Sequence, residues 1–381
     1  MASRGRKFVF SVRELSGALG DLGTLLPLTL GAITVAGLAP TPVLLGFGLF
    51  YVATAIYYRL PIPVQPMKVV VAVMLTTEIS SEALASSGVL IGLTLLVLGL
   101  TGWITWLARL VPQSVLAGLQ LGLGLALGLV SFELMASAPV IAAVTVACLL
   151  ALFLLPRFPS ALIALVAAMI LGQLLGAPGV ELANEASAAI GLPSLPSFAE
   201  VEHAFSVLVL PQLSLTFTNA VLLTALVASD YFDDRAAHVT PARLSLTSGL
   251  ANLLLTPFGA LPMCHGAGGL AAHYRFGARS GAAPLCLGLL LIALALFPGG
   301  GGLAALAAIP AAGLGSLLLI AAGELALTKR LFDSKPSCWP VIAATAAVTL
   351  WADPFWGLLA GSGAELVRMA AVRALRREAK G

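Results

Sequence analysis

The stretch Pro61-Ile62-Pro63-Val64-Gln65-Pro66-Met67-Lys68-Val69-Val70-Val71-Ala72 decides how this chain of 381 residues is read. Lys68 has apolar runs on both sides. The rest of the 20 Lys and Arg residues fall at the termini or in short breaks between apolar runs. A cation at bilayer depth costs about 2.5–3.5 kcal/mol even on the mildest scale, so an intramembrane lysine marks function. Pro61, Pro63 and Pro66 break any helix ahead of it. The sequence therefore predicts a half-helix that begins inside the membrane. Its positive N-terminal end and Lys68 would both face something anionic.

Composition sets the class. The chain is 59% hydrophobic and 10% charged, where a soluble domain carries about 25% charged residues, so a polytopic membrane protein in a lipid bilayer is expected. The net charge of +3 is spread over short loops without the concentrated patch that nucleic acid requires. Cys148, Cys264, Cys286 and Cys338 mostly lie in apolar segments without metal-ligand spacing. They read as small core residues, and neither metal nor cofactor is expected. The basic stretch Met1 to Arg13 ends in no cleavage-like site, so no removable leader is expected.

Charges, prolines and glycines divide the chain into about fourteen apolar segments. They are 14–36, 40–58, 66–77, 83–106, 111–134, 138–155, 159–177, 207–229, 241–257, 265–277, 281–298, 303–326, 337–352 and 354–370. The third and tenth are too short to cross alone at about 1.5 Å per residue. With the N-terminus in the cytoplasm, alternation puts every loop Lys and Arg on the cytoplasmic side. The 178–206 loop falls outside, with Glu181, Glu185, Glu200 and Glu202 and no Lys or Arg. The expected organisation is a cytoplasmic tail 1–13, a first repeat 14–177, the external loop 178–206, a second repeat 207–370 and a cytoplasmic tail 371–381. The expected location is the cell (inner or plasma) membrane.

The two halves echo each other. Pro66 matches Pro262, Pro112 matches Pro310 and Pro159 matches Pro354, at offsets of 196, 198 and 195 residues. An odd number of segments per half makes the copies inverted, and inverted repeats with broken helices point to a secondary transporter. The second broken stretch is Pro262-Met263-Cys264-His265-Gly266-Ala267-Gly268-Gly269. Its glycines would let a ligand approach bare N–H groups. The half-helices of segments 3 and 10 would then meet at the midplane, positive end to positive end, a geometry suited to a dianion.

The 259–281 stretch, the run Pro63 to Lys68 and the stretch Glu14 to Pro27 closely resemble the molybdate transporter family, relatives of the sulfate permeases. The resemblance covers nearly the whole chain. It implies an all-α, seven-plus-seven inverted repeat split into core and gate domains, substrate between segments 1, 3, 8 and 10, and uptake of molybdate with sulfate as a competitor. Sulfate permeases carry a basic residue early in segment 10 where this chain has Gly269, a charge that Lys68 would replace. They also end in a soluble regulatory domain, which is not expected here.

The candidate substrate-binding residues are Gln65, Met67 and Lys68 at one break, and Cys264, His265, Gly266 and Ala267 at the other. Asp21, Thr24, Thr218 and Asn219 complete the set. Asp21, His265 and Glu324 are candidates for proton coupling. Asp21 also reads as a structural partner of Lys68, and His265 as a helix cap. Gly118, Gly122, Gly124 and Gly128 read as close-packing positions, and Asp353 as a cap.

The leading function is secondary active import of a tetrahedral oxyanion, molybdate first, with protons as an open co-substrate and a homodimer as an open assembly. A sulfate transporter or a passive anion channel on the same fold is the alternative. An intramembrane aspartyl protease is remote, because no second carboxylate lies near Asp21 in sequence depth.

Overall fold

The computed structural model describes residues 8–107, 112–153, 160–180, 196–297 and 301–378. Arg109, Arg157, Glu181 and Glu185, and the basic residues of both chain ends outside these ranges, lie outside the described residues.

The first half runs α1 (Val12–Thr34), α2 (Pro40–Tyr58), β1 (Gln65–Pro66), α3 (Lys68–Thr76), α4 (Ser81–Thr101), α5 (Ile104–Leu107), α6 (Gln113–Ala136), α7 (Pro139–Phe153) and α8 (Ser160–Leu175). A long rod follows, made of α9 (Phe198–His203), α10 (Leu210–Leu215) and α11 (Thr224–Phe232) joined by π-helical turns over 204–209 and 216–223. Then come α12 (Pro241–Leu255), β2 (Met263–Cys264), α13 (Ala267–Arg275), α14 (Ala282–Leu296), α15 (Gly301–Ala307), α16 (Ala311–Ala326), α17 (Lys329–Phe332), α18 (Trp339–Trp351) and α19 (Pro354–Glu378).

Local chemistry sets the element ends. Ser11, Ser80 and Thr240 cap α1, α4 and α12 with their hydroxyls. The rod begins at Phe198, nine residues before the expected start of its segment, because Ser197 and Glu200 form a reciprocal capping box. The expected segment 303–326 is broken. Pro310 is extended (φ −68°, ψ 139°) and starts α16 afresh, as Pro112 starts α6. The helix α1 bends by 48° at Thr24. Pro27 lacks the N–H that would bond to the Gly23 carbonyl, which explains the break. Asp353 Oδ1 accepts from Trp356 N at 2.9 Å and caps α19 as expected.

Among the described residues, α2, α4, α6 and the 198–236 rod are each long and apolar enough to cross a membrane, and bent α1 is a fifth candidate. The outward sides of α4, α6 and α8 are apolar: Val97, Leu100, Leu129, Phe132, Ile170 and Leu174 are all exposed, an apolar belt of a kind that water-soluble monomers lack.

The most extensive helix packing is α6 with α16 and α18, α2 with α14, and α4 with α12. Glycine permits the closest of these. A Cβ at Gly118 or Gly122 would overlap Thr345 or Thr349 of α18, and one at Gly124 would overlap Ala326 of α16. Gly128 meets nothing and is not a packing position within this chain.

Candidate functional site

Two short extended segments bring the half-helices together. β1 and β2 pair antiparallel, Gln65 opposite Cys264 and Pro66 opposite Met263. Met67 N extends the pairing by donating to Pro262 O at 3.0 Å. Asn252 of α12 clamps β2 from behind. Its Nδ2 donates to Met263 O at 2.6 Å, and its Oδ1 accepts from Met263 N at 2.9 Å. The clamp satisfies backbone groups that would otherwise be orphaned in an apolar interior.

The two helix starts differ. At α3 the N–H groups of Val69 and Val70 point at Gln212 Oε1, at 2.9 and 3.4 Å. Gln212 is held in that orientation by donation from its Nε2 to Thr216 Oγ1 at 2.9 Å. An amide dipole of the protein therefore already occupies that positive end. The α13 start has no side-chain cap, leaving about half a positive charge there. Gly268 lies open: a Cβ there would meet nothing within 4 Å.

Gly266 and Gly269 serve a different purpose from the one read in the sequence. A Cβ at Gly266 would overlap Gln65 Oε1, and one at Gly269 would overlap Gln65 Nε2 and Asp21 Oδ1. These glycines make room for protein side chains, and only Gly268 leaves its space to a ligand.

Asp21 is fully buried and does not pair with Lys68. Its Oδ2 accepts from Tyr51 Oη at 2.5 Å, and its Oδ1 accepts from Gln65 Nε2 at 2.9 Å. His273 Nε2 lies 3.4 Å from the same Oδ2. Of the β1–α3 stretch it is Gln65, not Lys68, that reaches Asp21. His265 is also fully buried. Its Nδ1 is 2.8 Å from Pro63 O, and its Nε2 is 2.8 Å from Thr247 Oγ1. A carbonyl can only accept, so Nδ1 carries a hydrogen, while Nε2 is hydrogen-bonded with the Thr247 hydroxyl. Both ring nitrogens are thereby committed to protein partners, with Phe50 and Tyr58 packed on the ring.

A cavity of about 1050 Å³ reaches down to Lys68, Asn219, Ala267, Gly268 and Glu324. Its other end is walled by Lys329, Arg330, Lys335, Arg368 and Arg373. A smaller cavity of about 20 Å³ continues from Lys68 and Asn219 toward Gln65, Gln212, Cys264, His265 and Gly266, room for roughly one water. Lys68 is half-buried, and no hydrogen bond or ion pair of its ammonium occurs among the described residues. Asn219 shares that wall, and its side-chain amide has no hydrogen bond among the described residues. Thr218 instead turns its hydroxyl to the Ser214 and Leu215 carbonyls. Met67 is fully buried in the core and lines neither cavity. The Thr24 side chain lies outside the described part of the structure.

Sequence reading missed Gln212, Asn252, His273 and Tyr51. Each is a polar group in an apolar run, and a buried polar group needs partners. That signal was present, but the partners sit on other helices. Gln212 also falls between two π-helical turns, a local irregularity that often marks functional sites.

Comparison with known proteins gives the family and the fold. A family model described as "Molybdate transporter of MFS superfamily" matches residues 13–127 and 204–325. Molybdate transporter 2 of Arabidopsis thaliana is 29% identical over 388 aligned positions, covering 88% of this chain and 82% of that protein. Molybdate transporter 1 of Chlamydomonas reinhardtii is 27% identical over 480 positions, covering 95% and 91%. Among solved structures, the transmembrane domain of a cyanobacterium bicarbonate transporter, BicA, superposes with a TM-score of 0.65 at 16% identity, covering 93% of this chain and 98% of that one. Murine Solute Carrier 26 family member A9, an anion transporter in the inward-facing state, gives 0.68 at 14%, covering 96% and 70%. At these identities the structures share a fold, that of multi-pass anion transporters. Since the family model matches well over half of its length, this chain belongs to the molybdate transporter family.

Proposed function

We propose that the protein imports a tetrahedral oxyanion, molybdate first, by alternating access. The anion is held where the large cavity ends, between Lys68, Asn219 and the uncapped start of α13. The observation that carries this reading is Lys68: a half-buried lysine that makes no hydrogen bond or ion pair among the described residues, on the wall of a cavity that also reaches Glu324 and an open helix N-terminus. A cation kept at such depth outside any direct ion pair is explained by an anionic ligand. Gln65, Cys264, His265 and Gly266 shape the floor, while Asp21 acts from behind it. Sulfate and tungstate share the shape and charge of molybdate and compete for the same place. The relatives are named as transporters, which supports reading the activity as transport.

The packing supports a seven-plus-seven inverted repeat. Contacting pairs come in couples that exchange the halves: α2–α14 with α4–α12, α6–α18 with α7–α16, and α7–α8 with α18–α19. The antiparallel β1–β2 pair suits a two-fold axis through the site. On this reading α1–α4 and the 198–296 helices form the core domain, and α6–α8 with α16–α19 form the gate. The cavity opens among basic residues, which the positive-inside rule assigns to the cytoplasm, so the state is inward-open with both termini cytoplasmic.

The test is uptake of radiolabelled molybdate into proteoliposomes, competed by unlabelled sulfate and tungstate. Saturable, competed uptake supports the reading. Non-saturable flux would make the protein a channel, and no flux from folded protein would overturn the proposal.

A further inference from the structure

We propose that Asp21 and His273 together hold one transferable proton whose binding is linked to that of the anion, making the transporter an oxyanion–proton symporter; this rests on the transport reading above.

The geometry requires the proton. His273 Nδ1 lies 2.8 Å from Gly17 O, and a carbonyl only accepts, so Nδ1 carries a hydrogen. The other nitrogen, Nε2, is buried without a hydrogen-bond partner and faces Asp21 Oδ2 at 3.4 Å. A bare imidazole nitrogen facing a bare carboxylate oxygen would set lone pair against lone pair, with both side chains sealed from solvent. One proton between them removes the conflict, whichever atom carries it. With that proton the pair is neutral overall. Without it, the pair holds one uncompensated negative charge in a buried setting.

The surroundings make the proton matter to the anion. From α2, Tyr51 donates to Asp21 Oδ2, and from β1, Gln65 donates to Oδ1. Neither supplies a countercharge. Lys68 of α3 and Glu324 of α16 face the cavity side, Glu14 of α1 lies on the far side of His273 bonded to Arg279 N, and Cys286 of α14 lies toward Glu14. Gln65 links the pair to the cavity floor: it lines the small cavity, donates to Asp21 Oδ1 and packs against the α13 start. Loss of the proton would place a negative charge one side chain behind a site for a dianion. Anion and proton therefore favour each other, and by linkage the preference is mutual. Rotation of Gln65 would open the pair to the cavity for proton release.

The test uses the full chain in proteoliposomes carrying a trapped pH-sensitive dye, with membrane potential clamped and labelled molybdate added outside. The readout is protons entering per molybdate. The expected result is about one for the wild type, with apparent affinity falling by up to about tenfold per pH unit as pH rises. Asp21→Asn and His273→Gln are each expected to bring the ratio to zero and flatten the pH profile, whatever transport rate remains. A purely structural role would lower the rate and leave the ratio. Molybdate entry without acidification in the wild type overturns the proposal and leaves the transport reading intact. So does a wild-type ratio in both variants, or its loss only in Glu324→Gln, which assigns the proton to the cavity carboxylate. Absence of molybdate entry in the wild type overturns the transport reading, and this proposal with it. Should the variants fail to fold, the wild-type ratio and pH profile still decide.

Discussion

Replacing Lys68 by methionine removes one positive charge from the end of the large cavity while keeping an unbranched side chain one atom shorter. Lys68 is half-buried and makes no hydrogen bond or ion pair among the described residues, so its loss breaks none there and removes only its longer-range attraction to Glu324. Folding should survive, and removing a charge at membrane depth favours insertion. The binding cost follows from Coulomb's law. A unit charge about 4 Å from a dianion contributes roughly 2 kcal/mol in bulk water and up to about 8 kcal/mol at an effective dielectric constant near 20. The cavity is open and wide, so the aqueous end applies, and a lost charge-assisted contact of about 1.5–3 kcal/mol agrees with it. Molybdate affinity should fall roughly ten- to a hundredfold, leaving the uncapped α13 start to hold what remains. Isothermal titration calorimetry of detergent-purified protein measures this, with thermal unfolding as the folding control. A Lys68→Met protein that melts like the wild type and binds molybdate equally well would refute the assignment of Lys68 to the anion.

The glycines of α13 make a sharper pair. Gly268→Ala should fold normally, since a Cβ there meets open space, and weaken molybdate binding. Gly269→Ala should instead overlap Gln65 and Asp21 and lower stability by about 1–3 kcal/mol; thermal melts and titrations separate the two. Asn252→Ala should cost about 2–4 kcal/mol by orphaning the Met263 N–H and C=O, visible as a lowered melting temperature. In a background without native cysteines, Glu200→Cys should label from outside, and Asp234→Cys or Lys335→Cys only after permeabilisation. The reverse pattern would break the proposed topology.

Much of the fold was legible because its signals are local. The prolines at 66, 112, 262 and 310 keep the chain extended just ahead of a helix, so both half-helix starts could be read from them. The bounds of α2 were recovered from the apolar run between Pro40 and Arg59. Element ends that depend on side-chain caps were less visible: Ser197 and Glu200 began a helix inside a stretch whose charge reads as loop. In the site, Lys68 announced itself by its cost in an apolar run. Asp21 was equally visible, but its partners were not, because Tyr51, Gln65 and His273 lie on three other elements. The role of Gly266 and Gly269 was misread for the same reason. A missing side chain looks identical in sequence whether a ligand or a neighbouring glutamine fills the space.

The central claim is a location, and tungstate can report it. The protein crystallised with tungstate and measured at a tungsten absorption edge should show one anomalous peak at the end of the large cavity, within hydrogen-bonding reach of Lys68 Nζ and the first-turn N–H groups of α13. A peak found only among Arg330, Lys335 and Arg368 at the cavity mouth, with none beside Lys68, would contradict it.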